Sequence, residues 1–196
     1  MFTDFRWYPH LKGYQSAWEG HILYIYNQIQ KWKPKTVVEL GVYLGHSLAT
    51  MAEGCEDAGL DTQLYGIDHF MGDEHAGKFD TEVEDVATEC LGKYSNVTLI
   101  KKCFNRALED WEKRDDTTID LLHIDGRHFY EDIKEDFTNW SKFVPIGGHI
   151  ILHDSQETER GFGVKRFFEE LQQEHPDWEF DERKESHGLA IIYKKS

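Results

Sequence analysis

Short β-branched runs alternate with segments of helical period along almost the whole chain, and this alternation limits the fold more than any other feature. The runs are 36–40 (TVVEL), 63–68 (QLYGID), 97–102 (VTLIKK), 119–125 (IDLLHID) and 149–154 (HIILHD). Residues 47–58, 81–92, 105–113 and 130–143 lie between them and predict helices, as does 164–175 after the last. A first helix is predicted over 15–32, where Trp18, Ile22, Ile25 and Ile29 recur at helical spacing before Lys33-Pro34-Lys35 breaks it. Such alternation implies a parallel sheet with right-handed crossovers. Two further runs, 178–183 and 189–195, have no helix between them and predict an antiparallel hairpin. The expected architecture is α/β and doubly wound, a mostly parallel seven-stranded sheet with a C-terminal antiparallel hairpin. With 196 residues, 39% of them hydrophobic, one domain is expected over 1–196. It divides into an N-terminal helical and aromatic segment, 1–33, and a core, 34–196.

Open parallel sheets bind ligands outside the carboxyl ends of their strands. Here those ends carry Glu39, Asp68, Asp125 and Asp154, all acids. The turn after the first strand reads Gly41-Val42-Tyr43-Leu44-Gly45, with Ser47 a candidate cap of the next helix. A dinucleotide site would want G-x-G-x-x-G, and its middle glycine is absent. A triphosphate site would want a lysine after the glycines, and none follows. S-adenosylmethionine remains, with a sulfonium, an α-ammonium and a ribose diol but no phosphate. Asp68 is placed to accept from the ribose hydroxyls, and Glu39 to face the cationic methionine end. Gly41 and Gly45 would let that cofactor lie against the backbone.

Charge agrees. The net charge of -15 argues against nucleic acid or an anionic membrane as partner. No apolar run approaches the roughly 18 residues of a membrane span. The start, MFTDFRWYPH, lacks the layout of a signal peptide. Cys55, Cys90 and Cys103 have no metal-like spacing and read as reduced thiols, so a cytoplasmic location is expected.

The strings VVELGVYLGHS, GIDHFMGDEHAG, IDLLHIDGRHFYEDIKEDFTNW, GGHIILHDS and ERGFGVKRFFEEL resemble the class I S-adenosylmethionine-dependent methyltransferases, whose core is Rossmann-like. More narrowly they resemble the small methyltransferase domains found beside or fused to glycosyltransferases. The likeness runs from about residue 36 to 192. It implies O-methylation of a sugar hydroxyl, with a glycan as substrate and a fused or neighbouring glycosyltransferase as partner; oligomeric state is left open. His69-Phe70 stand where that family often has Thr-Trp. Together with Tyr43, Ser47 and Asp125 they complete the expected cofactor set.

The resemblance extends to metal-dependent sugar and catechol O-methyltransferases. It implies a Mg²⁺ (or Mn²⁺) site at Asp125, Asp154 and Ser155, with His128 as the general base. A divalent cation acidifies a bound hydroxyl, and a histidine can take the proton. His153 reads either as a satisfied core histidine or as a ligand. Loop 71–79, MGDEHAGKF, is a candidate lid, with Asp73 or His75 touching the sugar. Arg160, the rim Gly161-Phe162-Gly163 and His187 are further candidates for the acceptor side, and Tyr130 reads as packing. Eight Trp and Tyr residues among the first 43 positions read as helix core or an oligomer contact, with an aromatic platform for sugar stacking as the alternative and residues 1–14 a candidate cover for the site. Two alternatives stay open: a metal-dependent hydroxylase on the same fold, and a catalytically silent cofactor-binding module that regulates a glycosyltransferase.

Overall fold

A computed structural model describes residues 4–195. Its strands are β1 (Thr36–Leu40), β2 (Gln63–Asp68), β3 (Gly72–Asp73), β4 (Gly77–Lys78), β5 (Val97–Lys101), β6 (Leu121–Ile124), β7 (His149–His153), β8 (Glu179–Arg183) and β9 (Leu189–Tyr193). Its helices are α1 (Tyr8–Leu11), α2 (Ile22–Trp32), α3 (His46–Asp57), α4 (Thr81–Leu91), α5 (Phe104–Trp111), α6 (Tyr130–Trp140) and α7 (Val164–Glu174). The seven-stranded sheet runs β5-β2-β1-β6-β7-β9-β8. Five of its strands are parallel, and β9 lies antiparallel to both β7 and β8. This is the doubly wound, mostly parallel sheet with a C-terminal antiparallel hairpin that the alternation predicts. The order reverses at β1 and β6, so the switch point lies between their carboxyl ends.

Successive strand residues point to opposite faces, and each face is covered. On one side Val37, Leu64 and Ile151 pack with Ile22, Ile25 and Ile29 of α2 and with α3 and α4. On the other Val38, Leu122 and Ile150 pack with Ile133, Phe137 and Trp140 of α6 and with α7. Each isoleucine of the α2 stripe is fully buried, which stabilises by about 1.5–3 kcal/mol apiece.

Three expectations change. The first helix starts at Ile22, not at residue 15; residues 17–21 form turns that carry Trp18 and His21 inward instead. Ser47 does not cap α3, because the helix already begins at His46 with Gly45 in the left-handed N-cap position. Between β2 and α4, loop 71–79 contains the two-residue hairpin β3–β4, which is too short to show a period. Among the described residues no helix is long and apolar enough to cross a membrane. Cys55 and Cys90 are buried free thiols and Cys103 an exposed one.

Candidate active site

The carboxyl ends of β1, β2, β6 and β7 open onto one cavity of about 600 Å³. Asp68, Asp125, His128, His153 and Asp154 all line it. Glu39 is not brought to its wall. The side chain is wholly buried, with Oε2 2.7 Å from His123 Nδ1, so it ties β1 to β6 one layer below. Burial pushes the Glu39 carboxyl up, with His123 pulling the other way.

The glycine turn is shaped by protein as much as by any ligand. Gly41 has φ +91°, and a Cβ there would stand 2.0 Å from the Asp125 carbonyl oxygen. Only glycine lets the β1 and β6 turns approach so closely. A Cβ on Gly45 would instead press on Leu91, so that glycine serves helix packing and lies off the cavity wall. Asp68 organises both neighbouring turns. Its Oδ2 accepts the N–H groups of Val42 (2.9 Å) and Tyr43 (3.0 Å), and its Oδ1 accepts that of Phe70 (2.7 Å). A carboxylate offers about four lone-pair sites, so an acceptor position is left for a ligand hydroxyl. His69, Ser47 and Tyr43 line the cavity, while Phe70 turns into the core.

Asp125, His128, His153 and Asp154 each bring one donor atom into a set whose members lie within 4.8 Å of one another. His128 Nε2 is 3.2 Å from Asp125 Oδ1 and 3.1 Å from Asp154 Oδ2. His153 Nδ1 is 3.2 Å from Asp125 Oδ1 and 3.3 Å from Asp154 Oδ1. Burial alone would raise the Asp125 carboxyl, but His153 and His128 outweigh it and hold it well below the usual range. Asp154 goes the other way: burial and the neighbouring Asp125 charge raise it against His153, His128 and His187. Burial would lower His153, yet the two carboxylates lift it to about 9. Asp154 sits in left-handed backbone at φ 59°, a conformation aspartate tolerates better than most residues. Ser155 does not line the cavity. It is buried, and its hydroxyl donates to Glu182 Oε1 at 2.8 Å. The donor set of two carboxylates and two imidazoles fits a divalent cation.

Loop 71–79 forms a roof over this set. His75 Nε2 lies 3.1 Å from the Arg160 carbonyl, and the Arg160 guanidinium donates to the His75 carbonyl at 2.5 Å. Arg127 donates to Glu74 at 3.2 Å from the opposite side. Phe162 packs against the rings of His75 and His128, tilted to the first at 4.1 Å and stacked on the second at 4.9 Å. Asp73 accepts from the backbone of His75 and Ala76, which forms the tight turn of the hairpin. His187 borders the mouth, 2.6 Å from Glu157. All four residues proposed for the acceptor side, Asp73, His75, Arg160 and His187, therefore line one cavity with the acids.

The N-terminal aromatics divide between the two roles read for them. Trp7 is buried in the core, edge-on to His46. Of the candidate cover 1–14, residues 1–3 lie outside the described ones; Arg6 pairs with Glu53 and Glu56, which anchors the segment on α3. Trp18 reaches the site itself. Its indole N–H donates to Asp125 Oδ2, and its ring stacks on His153 at 5.6 Å.

Two contributors escape the strand-end reasoning. Trp18 belongs to an apolar stripe by its spacing, and nothing local separates it from a core tryptophan. Asp136 carries a legible signal: it interrupts the stripe Ile133, Phe137, Trp140 of α6. It lines the cavity beside Phe104 and Asn105 while only 8% exposed. Burial, reinforced by Glu135 and Asp132, pushes its carboxyl up to about 8.

Comparison with known proteins agrees with this arrangement. A family described as "Methyltransferase domain" matches residues 38–155, which span β1 through the Asp154 turn. The uncharacterized protein y4gI of Sinorhizobium fredii is 33% identical over 186 residues, covering 94% of this chain and 20% of that protein. The uncharacterized protein R132 of Acanthamoeba polyphaga mimivirus is 33% identical over 125 residues, covering 62% of this chain and 52% of that protein. The chain thus spans a fifth of the first relative and about half of the second. Among solved structures, the Bacillus cereus O-methyltransferase in complex with SAH superposes with TM-score 0.68 at 15% identity, covering 90% of this chain and 81% of that one. The O-methyltransferase TomG from Streptomyces achromogenes, in complex with SAM, gives TM-score 0.67 at 15% identity, covering 90% and 80%. With the fold and the family match in agreement, the chain belongs to the methyltransferase-domain family.

Proposed function

We propose that this domain transfers a methyl group from S-adenosylmethionine to a hydroxyl oxygen of a sugar in a glycan, with help from a divalent metal. The single observation that carries this reading is His128 Nε2 within hydrogen-bond reach of both Asp125 and Asp154, under a roof of polar side chains. A sugar hydroxyl is a poor nucleophile, so a base and a cation at the same point are what O-transfer needs and what a simple donor-binding module would not need.

S-adenosylmethionine supplies an electrophilic methyl on a cationic sulfur, for which the acidic rim is complementary. Asp68 would hold the ribose diol through its remaining lone pair, and Gly41, Tyr43, Ser47 and His69 would border the donor. Asp125 and Asp154 would hold the metal, which when bound lowers the pKa of an acceptor hydroxyl. His128 in its neutral form with Nε2 unprotonated would take the acceptor proton at that atom as the oxygen attacks, and the Asp125 carboxylate would stabilise the imidazolium that forms. Arg160, Asp73, His75 and His187 would orient the sugar hydroxyls. The roof excludes water, and the stacking of Phe162 on His128 fixes the base. A sugar acceptor is favoured by the polar, hydrogen-bonding character of that roof. The family resemblance to glycosyltransferase-associated domains adds a fused or neighbouring glycosyltransferase as partner, and the cytoplasm as the place where such a partner would work.

The test is a screen of glycans and nucleotide sugars with S-adenosylmethionine, with and without EDTA, following S-adenosylhomocysteine and methylated product. Product that falls at least a hundredfold in His128→Ala, and that EDTA abolishes, supports the reading. Absence of S-adenosylhomocysteine with every acceptor favours the silent module. Oxygen consumption without methyl transfer favours the hydroxylase. Turnover unaffected by chelation removes the metal from it.

A further inference from the structure

We propose that His153, and not Ser155, is the third protein ligand of the metal, and that this nitrogen donor makes the site select Mn²⁺ or Co²⁺ over Mg²⁺. The inference rests on the methyl-transfer reading above for the presence of a metal, and goes beyond it in ligand set and metal class.

Ser155 is fully buried and lies off the cavity wall, with its hydroxyl donating to Glu182. His153 occupies the position Ser155 leaves vacant. It ends strand β7, is 3% exposed, and aims Nδ1 between the two carboxylates at 3.2 and 3.3 Å. His128 meets the same carboxylates but sits on the loop after β6, more open to the cavity. The rigid, buried imidazole suits a ligand, and the one facing the acceptor suits a base.

A second observation comes from the far side of the ring. His153 Nε2 is buried without a hydrogen-bond partner, and so is His21 Nδ1. Their rings meet edge to face, with centroids 5.6 Å apart. His21 Nε2 lies 3.1 Å from the Ser186 carbonyl, an acceptor only, so His21 donates there and its Nδ1 must itself be an acceptor. A metal on His153 Nδ1 leaves the proton on Nε2, and the adjoining His21 ring holds a nitrogen that lacks a donor. Metal-bound histidines regularly point their other N–H at such an acceptor, which fixes the tautomer. The two orphaned nitrogens are thus complementary when His153 is a ligand.

Metal class follows from the donors. Mg²⁺ prefers an all-oxygen octahedron with several waters. Imidazole suits first-row transition metals such as Fe, Ni and Zn, and at a mixed nitrogen and oxygen site affinity rises from Mn²⁺ through Fe²⁺ to Co²⁺. A set of Asp125, Asp154 and His153 leaves positions for the acceptor and for water.

The experiment uses the metal-stripped full chain. Calorimetry with MgCl₂, MnCl₂ and CoCl₂ is expected to give Mn²⁺ and Co²⁺ affinities at least tenfold and a hundredfold above Mg²⁺. Pulsed electron paramagnetic resonance of bound Mn²⁺ is expected to show ¹⁴N coupling that persists in His128→Asn and vanishes in His153→Asn. The assignment is overturned by Mg²⁺ binding as tightly as Co²⁺, by Mn²⁺ without nitrogen coupling, or by coupling lost only in His128→Asn. The wild-type affinity series and the nitrogen signal stand even if His153→Asn does not fold, which a melt in EDTA reveals. S-adenosylhomocysteine binding to the wild-type chain, measured in parallel, separates the two readings. Donor binding with no metal binding overturns this assignment alone, and no donor binding overturns the methyl-transfer reading.

Discussion

The indole N–H of Trp18 points at Asp125 Oδ2 across 3.1 Å, joining residues 107 apart in the chain. The same ring stacks on His153 and meets His123 edge-on at 4.9 Å. One N-terminal side chain therefore orients two members of the proposed metal set. Trp18→Phe keeps most of the ring surface and removes the donor. Outer partners of metal ligands are typically worth 10–100-fold in affinity or activity. Trp18→Phe is expected to weaken Mn²⁺ binding about tenfold, read by calorimetry. Unchanged affinity would show that the indole only packs.

Asp68 answers to three backbone N–H groups. Asp68→Asn removes the charge and turns either an amide or a carbonyl toward donors that need an acceptor. Each buried N–H left unpaired costs about 1–3 kcal/mol. Thermal melts should show that loss. S-adenosylhomocysteine affinity should fall more than tenfold, because the Gly41–Tyr43 turn loses its anchor. Full affinity in this variant would remove Asp68 from the donor site.

Asp136 carries a pH signature. Its carboxyl is raised from the ordinary 3.8 to about 8 by burial first, and then by Glu135 and Asp132. The folded state therefore holds a proton that the unfolded state releases between those values. Stability contributed by this group is present below the unfolded value and is lost as pH rises toward 8. Asp136→Asn, which cannot ionise, should melt higher than the wild type at pH 8 and equally at pH 4. A tenfold change in an ionisation constant corresponds to about 1.4 kcal/mol, and each kcal/mol moves the midpoint of a domain this size by about 2–4 °C. Parallel melting curves at both pH values would refute the buried acid.

Arg160 and His75 exchange two contacts across the cavity mouth. Arg160→Ala cuts the guanidinium arm and leaves the Arg160 carbonyl in place. Donor release should quicken severalfold, measured by stopped-flow displacement of S-adenosylhomocysteine, with little change in melting temperature. An unaltered release rate would mean that the roof does not gate the site.

Most of the sheet is legible in the sequence because period and turn chemistry agree along it. The run TVVEL is bounded by proline and glycine, and helix α6 shows its apolar stripe directly. The ends of β2, β6 and β7 read as a common rim once their strands are parallel. Glu39 sits at a strand end by sequence yet points the wrong way, since side chains alternate across a strand and its neighbour Leu40 is the terminal residue of β1. Ser155 enters the metal set only by resemblance, and its real partner, Glu182, comes from the last hairpin, which local pattern cannot foresee. Trp18 illustrates the same gap. Helical spacing holds for Ile22, Ile25 and Ile29 but extends one turn too far, and the N-cap at His21 breaks the pattern where long-range contact takes over.

Strand β9 runs against its neighbour β7, so it begins where the parallel strands finish. Its leading turn, Ser186–Gly188, therefore arrives at the cavity rim from the direction opposite to the loops that follow the parallel strands. Ser186 accepts from the Gly20 amide and pairs with His21, so the turn before α2 and the turn before β9 clasp each other beside His153. Remodelling that clasp would re-aim His21, and through it His153, while the donor half of the cleft, built from β1 and β2, stayed untouched.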